Sequence, residues 1–156
     1  MIHWKQTLAL RTFSLFKIPL LFIISPTVVK LTEKECEVRI PLNRLTRNHL
    51  KSMYFGVLAM GADCAGGLIA MEAIQQSKKK VSLIFKDFKA DFLKRAEADV
   101  HFICKDGIKI RDQVQETIRT HKRVNQTLSI IATTPKISGD EPVAKFELTL
   151  SLKAQK

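Results

Sequence analysis

Apolar residues follow two different rhythms along this chain. Beyond residue 80 they recur at every second position: Val81, Leu83 and Phe85, then Phe88, Ala90 and Phe92, then Val100, Phe102 and Cys104. The last such run sets Phe146, Leu148, Leu150 and Leu152 against Lys145, Glu147, Thr149, Ser151 and Lys153. A period of two sends alternate side chains to opposite faces, so these segments predict half-buried antiparallel strands. Ile110, Val114 and Ile118 instead fall four apart among charges, which predicts an amphipathic surface helix over residues 109–121. Residues 124–134 supply the next strand, and residues 135–142, with Ser138-Gly139-Asp140, the turn into the last one.

Before residue 80 the apolar positions come in blocks. Thr27–Leu31 and residues 36–41 are rich in Val, Ile and Leu and flank Thr32-Glu33-Lys34-Glu35, the pattern of a short hairpin. Residues 53–74 are apolar or small at nearly every position and predict a helix buried on all sides. Residues 4–17 predict another helix, followed by an extended apolar connection that packs on the rest of the domain or on a partner subunit. With Lys5 and Arg11 ahead of it, the run of 12 residues 13–24 imitates a signal peptide. Lys17 and Pro19 break that run, no small-residue cleavage site follows, and it falls short of the ~20 residues a spanning helix needs. The predicted class is therefore α+β. A sheet with one apolar face beside a helix apolar all round implies a sheet curled around that helix.

At 156 residues, 46% hydrophobic and 26% charged, the chain fits one domain with its own core and shows no internal repeat or flexible linker. Residues 1–25 form the N-terminal helix and apolar connection, and residues 26–156 the main domain. The balance of 26 Lys plus Arg against 15 Asp plus Glu gives a net charge of +11, which attracts anions: nucleic acid, anionic lipid, or a phosphorylated small molecule such as coenzyme A. A nucleic-acid partner is not expected, because such a face interleaves aromatic and basic residues on an exposed strand, and Trp4 and Tyr54 lie elsewhere. Cys36, Cys64 and Cys104 are odd in number, widely spaced and without a CxxC pair, which argues against a disulfide framework or zinc site and for a reducing cytoplasm. His3, His101 and His121 have no metal-ligand spacing, so neither a metal nor a cofactor is expected.

The long apolar segment has the length of a membrane span, yet Asp63 sits at its middle and Glu72 near its end. A central Asp costs about 2.5 to 3.5 kcal/mol on insertion, four glycines weaken an isolated helix, and the amphipathic strands need a core to cover. A core helix without a membrane span is the reading. Asp63 then has two possible roles. The nearest cations in sequence are Lys51 and Lys78, so burial raises its pKa and suits it to general-base chemistry. Alternatively it is a structural carboxylate held by nearby donors.

Gly56 lies seven residues earlier, on the same helix face but ~10.5 Å away along the axis. If Ser52 or a neighbour caps the helix, the N–H groups around residues 54–56 lie in its unpaired first turn, at the positive end of the dipole, where an oxyanion can bind. Base and oxyanion donors meet over one carbonyl only if a second copy of the helix supplies one of them, so a homo-oligomer is expected. Cys64 points about 100° away from Asp63 and reads as a core thiol, and no nucleophile elbow surrounds Ser52. Lys78, Lys79 and Lys80 close the helix, where cations suit the dipole, or meet the phosphates of coenzyme A.

The segment from Asn48-His49 to Tyr54-Phe55-Gly56, followed by Asp63, resembles the signature of hotdog-fold thioesterases of the phenylacetyl-CoA, or HGG, type. In that family an Asn precedes a His-Gly-Gly by six residues and an acidic residue follows the second Gly by seven. Asn48, Gly56 and Asp63 match those positions without a gap. The resemblance implies a hotdog fold, an antiparallel sheet wrapped around a long central helix, here with an extra N-terminal helix. It also implies that Asp63 activates water or attacks directly, that the N–H at Gly56 stabilises the oxyanion, that Asn48 positions nucleophile or substrate, and that subunits share the site in a dimer or tetramer. The substrate would be an acyl-CoA or acyl-carrier-protein thioester. Tyr54 and Phe55 stand where the family has His and Gly, so the chain is similar to an uncharacterised thioesterase-like branch. Tyr54 and Phe55 would shape the acyl pocket and His49 would donate to substrate. A non-catalytic acyl-CoA or lipid-ligand binder on the same fold is the alternative.

Overall fold

A computed structural model describes residues 3–155. The elements run α1 (Trp4–Lys17), α2 (Pro19–Ile23), β1 (Thr27–Leu31), β2 (Cys36–Ile40), α3 (Phe55–Ser77) and β3 (Val81–Phe92). They continue with β4 (Val100–Cys104), α4 (Gly107–Thr120), β5 (Val124–Thr133), α5 (Pro135–Ser138) and β6 (Pro142–Ala154). Six strands form one antiparallel sheet in the order β1-β2-β4-β5-β6-β3. Register follows from burial. Leu128 faces Leu148, Ile130 faces Phe146 and Ala132 faces Ala144, all buried, while Ser129 and Glu147 pair on the outer face. Slipping β6 by one residue would expose that whole row.

The alternation in β3 changes phase between Phe85 and Phe88, and the structure resolves this as a β-bulge. Asp87 within it accepts the Thr149 backbone N–H at 3.1 Å. β3 is an edge strand, and Ile84, Phe88 and Phe92 on it are exposed.

α3 lies on the sheet through small residues. A Cβ built on Gly61 would stand 2.3 Å from the ring of Phe102 in β4, so only glycine allows this approach. Val57, Leu58, Ala62, Ala65, Ile69 and Ala70 complete the buried side. The helix is not buried on all sides as its composition predicts. Gly56, Met60, Asp63, Gly67 and Met71, three or four residues apart, form a stripe that stays partly open, because the sheet covers one flank and α1 and α2 only part of the other. Its start also falls later than predicted. The Met53 N–H is committed to Ala96 O at 2.8 Å and the Tyr54 N–H to Thr46 O at 2.9 Å, so helical pairing begins beyond them.

The connection after α1 is not extended. Pro19 at the first turn starts the short helix α2, its fixed φ suiting that position. α1 is tied down by polar contacts: Val28 N–H donates to Thr7 Oγ1 at 2.9 Å, and Arg11 donates to Pro26 O at 3.1 Å. It buries Thr7, Leu10 and Ser14 while Trp4, Leu8 and Phe16 remain exposed. Leu21 and Ile24 join the same core as the sheet. Cys36 and Cys104, distant in sequence, are directly paired across β2 and β4. Both are free and buried, as is Cys64. Burial pushes the Cys64 thiol up to about 12 and Cys104 up to about 11, and raises Cys36 as well, leaving all three inert as nucleophiles near neutral pH.

Candidate active site

The start of α3 is built by the loop before it. Asn48 Oδ1 accepts the Leu50 N–H at 2.9 Å and the Ser52 N–H at 3.3 Å, and Ser52 Oγ donates to the same oxygen at 3.3 Å. That oxygen therefore shapes the loop around Lys51, whose φ is 62°. Ser52 does not cap the helix. Tyr54 is the N-cap residue, with φ −66° and ψ 137° and no side-chain capping bond. Its carbonyl accepts the N–H of Val57 at 2.9 Å and of Leu58 at 3.1 Å. The N–H groups of Phe55 and Gly56 find no acceptor among the described residues, so two donors stand free at the positive end of a helix of 23 residues.

Aromatic rings crowd this end. Tyr54 and Phe55 pack with their rings tilted 56° and centroids 4.7 Å apart, and Phe55 meets Phe92 at 6.4 Å. The Tyr54 ring lies over Gly56 so closely that a Cβ there would sit 2.6 Å from Tyr54 Cε1. A hollow of about 610 Å³ beside these rings is lined by Asn48, His49, Tyr54 and Phe55 together with Lys94 and Arg95. His49 and Arg95 are exposed. Lys94 pairs with Glu141 at 2.5 Å, whereas Arg95 has no ion pair among the described residues. Lys94 and Arg95 fall in a polar connection without period, so the sequence carries no local signal for them. The pairing of Met53 with Ala96 is what carries them to the site.

Asp63 opens elsewhere, onto a cavity of about 540 Å³ between α3, the α1–α2 corner and β3. Its carboxylate is half-buried and has no hydrogen bond or ion pair among the described residues, and burial raises its pKa above the usual carboxylate value. A carboxylate held for structural reasons would have donors around it. One protomer thus places Asp63 in one cavity and Asn48, His49, Tyr54 and Phe55 in another. Lys78 follows at the far end of α3 in a left-handed turn, about 33 Å along the axis from Gly56. Lys78, Lys79 and Lys80 are therefore remote from the free N–H groups of their own chain. No three His, Cys, Asp or Glu residues converge as a metal site among the described residues.

The family described as "Domain of unknown function (DUF4442)" matches residues 7–150. No curated protein sequence matches the chain. Solved structures do. A Chlorobaculum tepidum protein of unknown function superposes with a TM-score of 0.82 at 13% identity, covering 96% of this chain and 94% of that one. A Pseudomonas aeruginosa protein, described as of unknown function and a "probable thioesterase", reaches 0.78 at 21% identity over 96% of both chains. A Haemophilus influenzae thioesterase reaches 0.67 at 14% identity, covering 92% of this chain and 88% of that one. At these identities the likeness establishes the fold alone: a hotdog fold, with an N-terminal helix added.

Proposed function

This chain belongs to the DUF4442 family, and from its hotdog fold and the setting of Asp63 we propose that it is a homo-oligomeric hydrolase of acyl thioesters, with coenzyme A or acyl carrier protein as the thiol. Asp63 is the general base. Its carboxylate takes a proton from water, whose oxygen attacks the thioester carbonyl carbon. The free N–H groups of Phe55 and Gly56 from a second copy hold the developing oxyanion. The C–S bond then breaks, and the proton on Asp63 passes to the departing thiolate. Arg95 and Lys94 face the phosphates of the thiol carrier, with Asn48 and His49 offering polar contacts to its arm. The unpaired edge of β3 supports self-association, since an exposed apolar edge strand is usually covered. A reducing cytoplasm suits the three free thiols.

One observation carries this reading: a half-buried carboxylate with a raised pKa and no partner among the described residues, opening on an apolar cavity. The test is a panel of acyl-CoA substrates followed by free-thiol release. Turnover that disappears in Asp63→Asn supports the hydrolase. Binding of acyl-CoA with no turnover of any member assigns the protein as a binder instead.

A further inference from the structure

The cavity at Asp63 does not end there. It follows the open stripe of α3 through Gly67 and Met71 to Ile74. Phe13 of α1 and Leu21 of α2 close it from above, and Leu83 and Phe85 of β3 close its side. From Asp63 to Ile74 the helix advances about 16 Å. Among the described residues no Lys, Arg or His lines it, and its polar side chains are Asp63 at one end and Gln75 at the other. Its volume of about 540 Å³ lies within the ~300 to 1,000 Å³ of small-molecule sites.

We infer that this cavity, roofed by the N-terminal helices, holds the acyl chain of the substrate, and that the chain is an aliphatic one of about twelve carbons without polar substituents. This rests on Asp63 as the base, which puts the carbonyl at the cavity mouth. An extended chain with bonds of ~1.5 Å advances about 1.25 Å per carbon, so about 16 Å takes about twelve. A hydroxylated or charged acyl group would find no partner along the walls and would be left unpaired. The acyl chain therefore lies away from Tyr54 and Phe55, whose hollow carries Lys94 and Arg95 and suits the polar thiol arm. α1 and α2 have a specific task in this arrangement: without their roof, the Gly67–Met71 stripe would face water.

Gly67 tests this. A Cβ built there meets Phe85 Cε2 at 3.8 Å, an ordinary contact, and nothing closer, so a larger side chain enters the cavity one turn beyond Asp63. For the wild type, kcat/KM should rise about 4-fold per methylene from butyryl-CoA to dodecanoyl-CoA and then level off. In Gly67→Leu the ratio of dodecanoyl to butyryl kcat/KM should fall by about 10-fold or more. Dodecanoate itself is the second probe, titrated by calorimetry: the wild type should bind it and Gly67→Leu should bind it at least about 10-fold more weakly. Should Gly67→Leu fail to fold, Met71→Trp blocks the cavity a turn further on and should shorten the preferred chain by several carbons. If neither variant folds, the wild-type chain-length series and dodecanoate titration decide. Turnover that depends on Asp63 but not on chain length, with no dodecanoate binding, overturns the acyl cavity and leaves the hydrolase standing. Dodecanoate binding lost in Gly67→Leu, with no thioester turned over, sustains the cavity and overturns the hydrolase.

Discussion

Gly56 and Asp63 share one face of α3 but lie about 10.5 Å apart along it, farther than any single side chain can bridge. A shared active site therefore needs two copies of the helix. Gly56→Val should displace the Tyr54 ring and block the free N–H groups, while Asp63→Asn removes the base, so each variant alone should be inactive. Subunits of the two variants, mixed and allowed to exchange, should recover about a quarter of wild-type activity: about half of random dimers are mixed, and one of the two sites in each is intact. Failure to recover any activity in mixtures proven to exchange would place the whole site within one chain.

Asp63→Asn alone should lower turnover by about 10²-fold or more, the usual scale of general-base catalysis. Stability should move the other way. Because burial raises the carboxyl pKa in the folded state, the native protein holds the Asp63 proton to higher pH than the unfolded chain does, so wild-type stability falls as pH rises from the unfolded pKa, about 3.9, to the folded one. The thermal midpoint of Asp63→Asn should thus match the wild type near pH 3 and exceed it near pH 7. The acid limb of kcat/KM should lie above the ordinary carboxylate range for the same reason. An Asn variant that melts early at neutral pH yet keeps its specific activity would return Asp63 to a structural role.

Gly61 sets the distance between α3 and the sheet. Gly61→Ala would drive a methyl group into the Phe102 ring and should cost about 1 to 3 kcal/mol of stability, the range for overpacking a core. Phe102→Leu should offset part of this loss in the double variant. Chemical denaturation of the four proteins of that cycle measures the coupling, and strictly additive losses would mean that the two residues do not meet.

Arg95 should govern the affinity for a phosphorylated thiol carrier. Arg95→Glu should raise KM for an acyl-CoA by about 10-fold at low salt, an effect that shrinks near 1 M salt, where the Debye length is about 3 Å. Simultaneous replacement of Lys78, Lys79 and Lys80 by Ala should change KM by less than about 2-fold. The reverse ranking would assign phosphate binding to the far end of α3.

Much of this architecture is written in local pattern. Alternation from Val81 onward specifies strands because a pleated backbone sends neighbouring side chains to opposite faces, and even the bulge in β3 shows as the change of phase between Phe85 and Phe88. The small residues of α3, and the spacing of Gly56 and Asp63 along it, are likewise local, since helical geometry converts sequence separation directly into axial distance. What covers each element is not local. Composition made α3 look buried all round, but only the packed chain leaves the stripe from Gly56 to Met71 half-open and folds α1 and α2 over part of it. The pairing of Cys36 with Cys104, and the arrival of Arg95 beside Tyr54 and Phe55, depend on strand order and on a backbone bond from Met53 to Ala96. Periodicity records that a residue faces something, whereas the partner it faces is chosen by contacts between segments far apart in sequence, and those exist only once the sheet has closed on its helix.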